Sequence, residues 1–181
     1  FRYEKKFLIK NSSSHEVNSI IKKNPYLFRK KFEQRYVNNI YFDDLNYSLY
    51  KDHVIGKSDR YKIRVRWYNK LIYEVKKPVL EIKCKKNQLE KKEFYNLNEI
   101  VLNKSIKQKE LNQLIKNNNI PDKIKVLNIK PVLINRYLRN YFESADKRFR
   151  ITLDTDLSYF SVSNNEKVFN KIYEDKHVLV L

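Results

Sequence analysis

Asp59-Arg60-Tyr61-Lys62-Ile63-Arg64-Val65-Arg66-Trp67-Tyr68 is the stretch whose reading decides the fold. A strand alternates its side chains between two faces. Read that way, Arg60, Lys62, Arg64 and Arg66 point one way, and Tyr61, Ile63, Val65 and Trp67 the other. Neighbouring cations then stand about 7 Å apart. Each neighbouring pair repels by roughly 2 kcal/mol at an effective dielectric of about 20, and by about 0.6 kcal/mol in bulk water. Such a row calls for either full solvation or a polyanion.

The bulk of the chain limits the choices. Its 181 residues suit one domain with a sizeable core, and 41% hydrophobic with 14% aromatic residues exclude a disordered tail. Lysine and arginine total 39 against 21 acids, a formal charge of +18. That excess points to a polyanionic partner (nucleic acid, an anionic membrane or phosphate chains), while a lysine-rich solubilising surface accounts for it equally well. Gly56 is the single glycine, which excludes a glycine-rich phosphate loop and a dinucleotide fingerprint. Any phosphate site is therefore built from side chains. Cys84 is the single cysteine, so there is neither an internal disulfide nor a thiolate metal cluster, and a reducing, cytoplasmic setting is expected. No apolar run approaches the ~20 residues of a membrane span, and no signal peptide is visible. Phe1-Arg2-Tyr3 and Val178-Leu179-Val180-Leu181 both read as strand interiors, as in a domain excised from a longer chain.

The periodicity predicts strands over 1–10, 35–43, 59–68, 79–86 and 91–96, with a short edge piece over 72–76. Ser13 with Glu16 fits a capping box ahead of the helical stripe Val17, Ile20 and Ile21. Asp43-Asp44 closes a strand and caps a short helix carrying Leu45, Leu49 and Tyr50. Leu97, Ile100 and Val101, then Ile106, Leu111, Leu114 and Ile115, read as two helices ended by Asn117-Asn118-Asn119. Strands resume over 131–142, 148–154, 157–162, 168–173 and 177–181. This spacing suits an antiparallel barrel or sandwich.

The strand over 148–154 repeats the cationic pattern, with Arg148, Arg150, Thr152 and Asp154 opposing Phe149, Ile151 and Leu153. Arg139 shares a face with Tyr137 and Tyr141, and Glu4 shares one with Lys6. Two arrangements satisfy these strands. In a sandwich the apolar faces meet and the charges face water. In a wet channel the charges face inward and helices cover the apolar outer faces. Alternation alone favours the sandwich. The density of arginine favours the channel, because guanidinium forks match phosphate oxygens and a merely solvated face has no need of them.

Other features read plainly. His15, His53 and His177 lack metal-ligand spacing, and Cys84 lies on an apolar face as an inert thiol. Trp67, Phe149 and Tyr61 sit on apolar strand faces and are read as core rather than as base-stacking platforms.

Tyr3-Glu4-Lys5-Lys6-Phe7, Asn39-Ile40-Tyr41-Phe42-Asp43, Arg64-Val65-Arg66-Trp67-Tyr68, Leu80-Glu81-Ile82-Lys83, Tyr137-Leu138-Arg139 (after Pro131) and Arg148 to Thr155 occur in that order. Together they resemble the VTC domain, the polyphosphate polymerase domain of the vacuolar transporter chaperone complex and its bacterial relatives, in the triphosphate tunnel metalloenzyme superfamily. The resemblance implies an α+β fold: an antiparallel β-barrel tunnel with a charged interior, its apolar outer face covered by helices, over 1–181 as one domain. It implies NTP-dependent polyphosphate synthesis, with Lys6, Arg64, Arg66, Lys83, Arg139 and Arg150 as catalytic cations and Lys91 as a phosphate-binding one. Arg60, Lys62 and Arg148 join the phosphate binders by strand parity. Glu4 and Glu81 point inward by parity as candidate ligands of Mn²⁺ or Mg²⁺.

One departure from the family pattern stands out. The family's last strand carries a further Glu-x-Lys whose glutamate binds metal, and here Leu181 comes where that glutamate is expected next. The implied partners are a nucleoside triphosphate and polyphosphate, with a membrane-protein partner or a fused membrane segment in a longer parent. The expected location is cytoplasmic, with membrane association through that parent or partner. Two alternatives stay open: a tunnel triphosphatase, in which Glu4, Glu81 or Asp154 orients water, and a non-catalytic polyphosphate or nucleic-acid binding module. Nucleic acid is the less favoured ligand. The Trp67-Tyr68 context and the long 97–130 connection look more like the polymerase branch.

Overall fold

The computed structural model describes residues 4–87, 89–116, 118, 120–162, 171–175 and 178–180. It is an α+β chain dominated by antiparallel sheet. The strands are β1 (Phe7–Ile9), β2 (Arg29–Asp43), β3 (Arg60–Tyr68), β4 (Tyr73–Val75), β5 (Val79–Lys86), β6 (Leu89–Asn96), β7 (Ile100–Leu102), β8 (Lys130–Glu143), β9 (Arg150–Ser161), β10 (Lys171–Asp175) and β11 (Val178–Val180). The helices are α1 (Ser14–Lys23), α2 (Ser48–Val54), α3 (Gln108–Lys116) and α4 (Asp122–Lys125).

The chain divides into two compact units. Unit 1 comprises Phe1–Val37, Arg136–Ser158 and Tyr173–Leu181; unit 2 comprises Asn38–Asn135 and Tyr159–Ile172. Strands β2, β8, β9 and β10 contribute residues to both. The strand order in unit 1 is β1-β11-β9-β8-β2, and in unit 2 it is β8-β2-β3-β5-β6, with β4 and β7 forming a separate two-stranded sheet. The hydrogen-bonded order ends at β1 and at β6, and no closed barrel forms among the described residues.

In unit 2, β3 alternates as its sequence demands. Ile63, Val65 and Trp67 are buried, while Arg64 and Arg66 on the other face are half-buried. Antiparallel pairing sets Ile63 opposite Ile82 and Val65 opposite Leu80, so two strands present one apolar face. Leu111, Leu114 and Ile115 of α3 and Ile124 of α4 belong to the core built on that face. Each fully buried side chain of this kind contributes about 1.5–3 kcal/mol. Shifting β3 by one residue would turn its arginines into this core, which is why its register is strongly specified. Asn118 secures the end of α3: its side-chain N–H donates to the Leu114 carbonyl at 2.8 Å, and its side-chain oxygen accepts the Asn98 N–H at 2.6 Å.

In unit 1, α1 begins with the capping box. The Ser13 hydroxyl accepts the Glu16 N–H at 3.2 Å, and the Glu16 carboxylate accepts the Ser13 N–H at 2.7 Å. Val17 and Ile21 of this helix pack with Phe28, Phe142 and Leu153. In each unit, therefore, a helix covers the apolar side of the sheet. The Asp43-Asp44 pair does what its position suggests. Asp43 accepts the N–H groups of Leu49 and Tyr50 at 2.9 Å, and Asp44 accepts those of Asn46 and Ser48 at 2.9 and 3.0 Å.

Several expectations change. Residues 100–102 are a strand paired with β4, not part of a helix. Leu97, Ile100 and Val101 match a helical period over five residues only, too short to separate the two periods, and β-branched Ile100 and Val101 suit the strand. The strands expected at 148–154 and 157–162 are one strand, β9, in which Asp156 takes a left-handed φ of 53°. An aspartate tolerates that conformation, so the turn signal is a kink rather than a break. Only Phe7–Ile9 of the first ten residues is strand, and 1–3 lie outside the described residues. The strands expected over 168–173 and 177–181 also lie partly outside them; the described parts are β10 and β11. Tyr61 and Phe149 are exposed rather than core, and Phe149 packs on Tyr26 with ring centroids 4.9 Å apart. Cys84 is half-buried.

Candidate functional site

The charged face of unit 2 is built from alternate residues of β2, β3 and β5. Arg64 and Glu81 are directly opposite in the β3–β5 pairing. Arg64 Nε donates to Glu81 Oε2 at 2.7 Å, with Nη2 at 2.5 Å from the same oxygen. Arg66 Nη1 lies 3.2 Å from the other carboxylate oxygen, Oε1. Two guanidiniums thus share one carboxylate, with side chains 24%, 13% and 16% exposed for Arg64, Arg66 and Glu81. Asn39 fixes Arg66 from β2: its side-chain oxygen accepts from Arg66 Nε at 2.8 Å, and its side-chain nitrogen donates to Asn135 at 2.8 Å. Two residues on, the Tyr41 hydroxyl accepts from Arg64 Nη1 at 3.4 Å, and the Lys62 ammonium sits 5.0 Å from the centre of the Tyr41 ring.

The charges act on one another. Burial pushes the Tyr41 hydroxyl up, but the positive charges of Arg64, Lys62 and Arg66 outweigh it and hold its pKa below the usual tyrosine value. Burial works against the charged form of Arg64, and Tyr41 and Glu81 reverse that effect, so its pKa lies above the ordinary arginine value. The cluster of Arg64, Arg66 and Glu81 keeps a net charge of +1.

The same face carries lysines. Register places Lys62 opposite Lys83 and Lys83 opposite Lys92, three like charges in a cross-strand row. Such a row is destabilising in itself. Glu90 relieves part of it, with carboxylate oxygens 2.9 Å from Lys83 and 3.8 Å from Lys92. Hydrogen bonding from Lys83 holds the Glu90 pKa below its usual value. Arg60 lies at the end of β3, where its guanidinium donates to the Lys57 carbonyl at 2.6 Å. Lys91 does not belong to this face. It is opposite Cys84, and it pairs with Glu93 at 3.1 Å. A one-residue difference in parity selects Lys92 in its place.

Unit 1 has its own charged face. Arg139 makes a two-pronged contact with Asp154, both bonds 2.6 Å, and Asp154 is only 2% exposed. Burial opposes the Arg139 charge, but the hydrogen bonds it donates to Asp154 outweigh it and raise the arginine's pKa. Its guanidinium carbon lies 4.9 Å from the centre of the Tyr137 ring. Arg150 donates to Glu143 at 3.0 Å, and Lys31 also pairs with Glu143. Arg35 donates to the Tyr141 hydroxyl at 3.3 Å. Besides Lys91, three expected residues join neither cluster. Lys6 and Glu4 are exposed and face each other at 3.7 Å, and Arg148 is an exposed partner of Asp146 at 2.7 Å in a turn.

Among the described residues no group of three or more His, Cys, Asp or Glu side chains converges. Glu81 is bound by two guanidiniums and Glu4 is exposed beside Lys6. These residues do not make a divalent-metal site, and no reaction step is assigned through one.

Asn39, Tyr41, Asn135, Lys31, Arg35 and Glu143 were not foreseen as site residues. Asn39 and Tyr41 had a signal: they alternate within the Asn39–Asp43 motif, at the parity of the charged face. Asn135 and Glu143 had none, because cross-strand partners are set by register.

The family model of the VTC domain matches residues 1–180. The chain belongs to the VTC domain family. Membership places this VTC domain in the triphosphate tunnel metalloenzyme superfamily, as the ordered motifs implied, and associates it with polyphosphate-related enzymatic activity. No curated protein matches the chain. No helix among the described residues of the VTC domain is long and apolar enough to cross a membrane.

Proposed function

We propose that the chain carries out NTP-dependent, polyphosphate polymerase-type phosphoryl transfer, with the charged face of unit 2 as a wall of the phosphate-holding tube that family membership implies. The observation that carries this reading is the pair Arg64 and Arg66 converging on the single carboxylate of Glu81. A carboxylate held by two guanidiniums has the charge and hydrogen-bond pattern that a phosphate oxyanion requires. The surplus charge there, continued by Lys62, Lys83 and Lys92, suits a ligand with many negative charges rather than one.

Phosphoryl transfer asks a protein mainly for positioning and for stabilisation of charge. In this reading Arg64 and Arg66 clamp non-bridging oxygens, Asn39 holds the Arg66 guanidinium in place, Glu81 yields its position to phosphate, and the lysines act as point charges along the chain. The acceptor is itself an ionised phosphate, so polymerisation needs no strong base. Arg139 and Arg150, in unit 1, take up phosphate only by exchanging Asp154 and Glu143 for it. The proposed partners are a nucleoside triphosphate and polyphosphate.

The test is incubation of the purified protein with ATP and Mn²⁺ or Mg²⁺, followed by chain-length analysis. Growth of long polyphosphate supports polymerase chemistry. Release of orthophosphate without growth would point to the triphosphatase reaction. Binding without turnover would leave a polyphosphate-binding module, and neither binding nor turnover would overturn the reading.

A further inference from the structure

We propose that Tyr41 is a phosphate-contacting residue of unit 2, a neutral hydroxyl donor set among the cations that clamp the polyanion. The proposal rests on the phosphate-binding reading of Arg64 and Arg66. Its ground is geometric. The Asn39–Asp43 motif uses its alternate residues for three tasks: Asn39 orients Arg66, Asp43 anchors the start of α2, and Tyr41 lies between Arg64 and Lys62. A tyrosine that only filled space would not place its hydroxyl against a guanidinium.

The hydroxyl has one proton to give. Arg64 has only N–H groups, so it donates to the Tyr41 oxygen and leaves the phenol hydrogen for another acceptor. Three cations act on that hydroxyl electrostatically: Arg64, Lys62 and Arg66, all from β3. Glu81, from β5, is engaged by the two arginines, while Asn39 and Asn135 beside them are uncharged. A phosphate oxygen drawn in by Arg64 therefore meets a polarised O–H donor in the same place. Nearby positive charge makes the protonated phenol a stronger donor. Loss of the proton would put a phenolate where the phosphate has to sit.

The experiment is calorimetric titration of the intact chain with inorganic triphosphate, comparing wild type, Tyr41→Phe and the exposed control Tyr50→Phe at pH 7 and at stepwise higher pH. The proposal expects Tyr41→Phe to bind about tenfold more weakly at pH 7, the scale of a hydrogen bond to a charged group, with its melting temperature and the Tyr50→Phe control unchanged. It also expects wild-type affinity to fall at alkaline pH through a step that Tyr41→Phe lacks. A merely structural role would not produce that step. Wild-type binding with Tyr41→Phe indistinguishable at every pH overturns this proposal alone. Absence of wild-type binding overturns it together with the phosphate-binding reading.

Discussion

Arg139 of unit 1 and the Arg64–Arg66 pair of unit 2 are held in opposite ways. In unit 1, Arg139 has Asp154 to itself, through two bonds of 2.6 Å, and the pair is neutral. In unit 2, Arg64 and Arg66 divide a single carboxylate between them and retain positive charge. Each stands on the arginine-bearing face of strands whose other face is apolar and helix-covered. What separates them is stoichiometry. A one-to-one buried pair is complete without a ligand, whereas two guanidiniums on one carboxylate carry more positive charge than that carboxylate offsets. The count of acids per arginine, more than the count of arginines, distinguishes a structural pair from a binding surface.

The largest effect expected from this contrast is on stability. Asp154→Ala leaves a nearly buried guanidinium uncompensated and costs about 3–5 kcal/mol, read as a shift of the urea midpoint. Glu81→Gln should cost clearly less, because Arg64 and Arg66 keep a polar neighbour and partial solvent. Equal losses would break the comparison.

Next is binding. Arg66→Ala should weaken affinity for triphosphate by about 1.5–3 kcal/mol, the scale of charge-assisted hydrogen bonds, with the fold intact by circular dichroism. Unchanged affinity would place Arg66 outside the site. A smaller change of opposite sign is expected for Glu81→Gln. Removing the internal anion should tighten triphosphate binding by about threefold, within the modest range of partly exposed ion pairs. Weaker binding would mean that Glu81 serves chiefly to orient the arginines.

The smallest effect is local and set by pH. Hydrogen bonds from Ser144 and from the Arg148 backbone and side chain hold the Asp146 carboxyl at about 2. A lowered carboxylate pKa stabilises the turn above the ordinary aspartate value, and the contribution is lost as pH falls through the folded value. Carboxyl carbon NMR should therefore show Asp146 titrating near 2. A midpoint near the ordinary value of about 3.9 would mean that neither Ser144 nor Arg148 is engaged.

Much of this was legible in the chain. The alternation of Arg60 to Trp67 fixed both the strand and the side of it that meets the core, because a period of two leaves each residue only one face. Ser13 and Glu16 announced α1, since a capping box is a local interaction. Partners set by register were not legible. Lys91 and Lys92 are adjacent and chemically identical, so only pairing with β5 tells which shares a face with Lys83. Asp154 was read as a member of a charged face, but its monopoly on Arg139 depends on how β8 and β9 align. The segment from Leu97 to Leu102 was ambiguous because its apolar spacing fits both periods and its strand partner, β4, lies more than twenty residues upstream.

The most direct test is a crystal structure of the protein with inorganic triphosphate. The account predicts phosphate oxygens within about 3.2 Å of both Arg64 and Arg66, with the Glu81 carboxylate displaced from at least one of them. Triphosphate bound elsewhere, with Arg64, Glu81 and Arg66 joined as they are without it, would contradict the claim that this shared carboxylate marks the phosphate site.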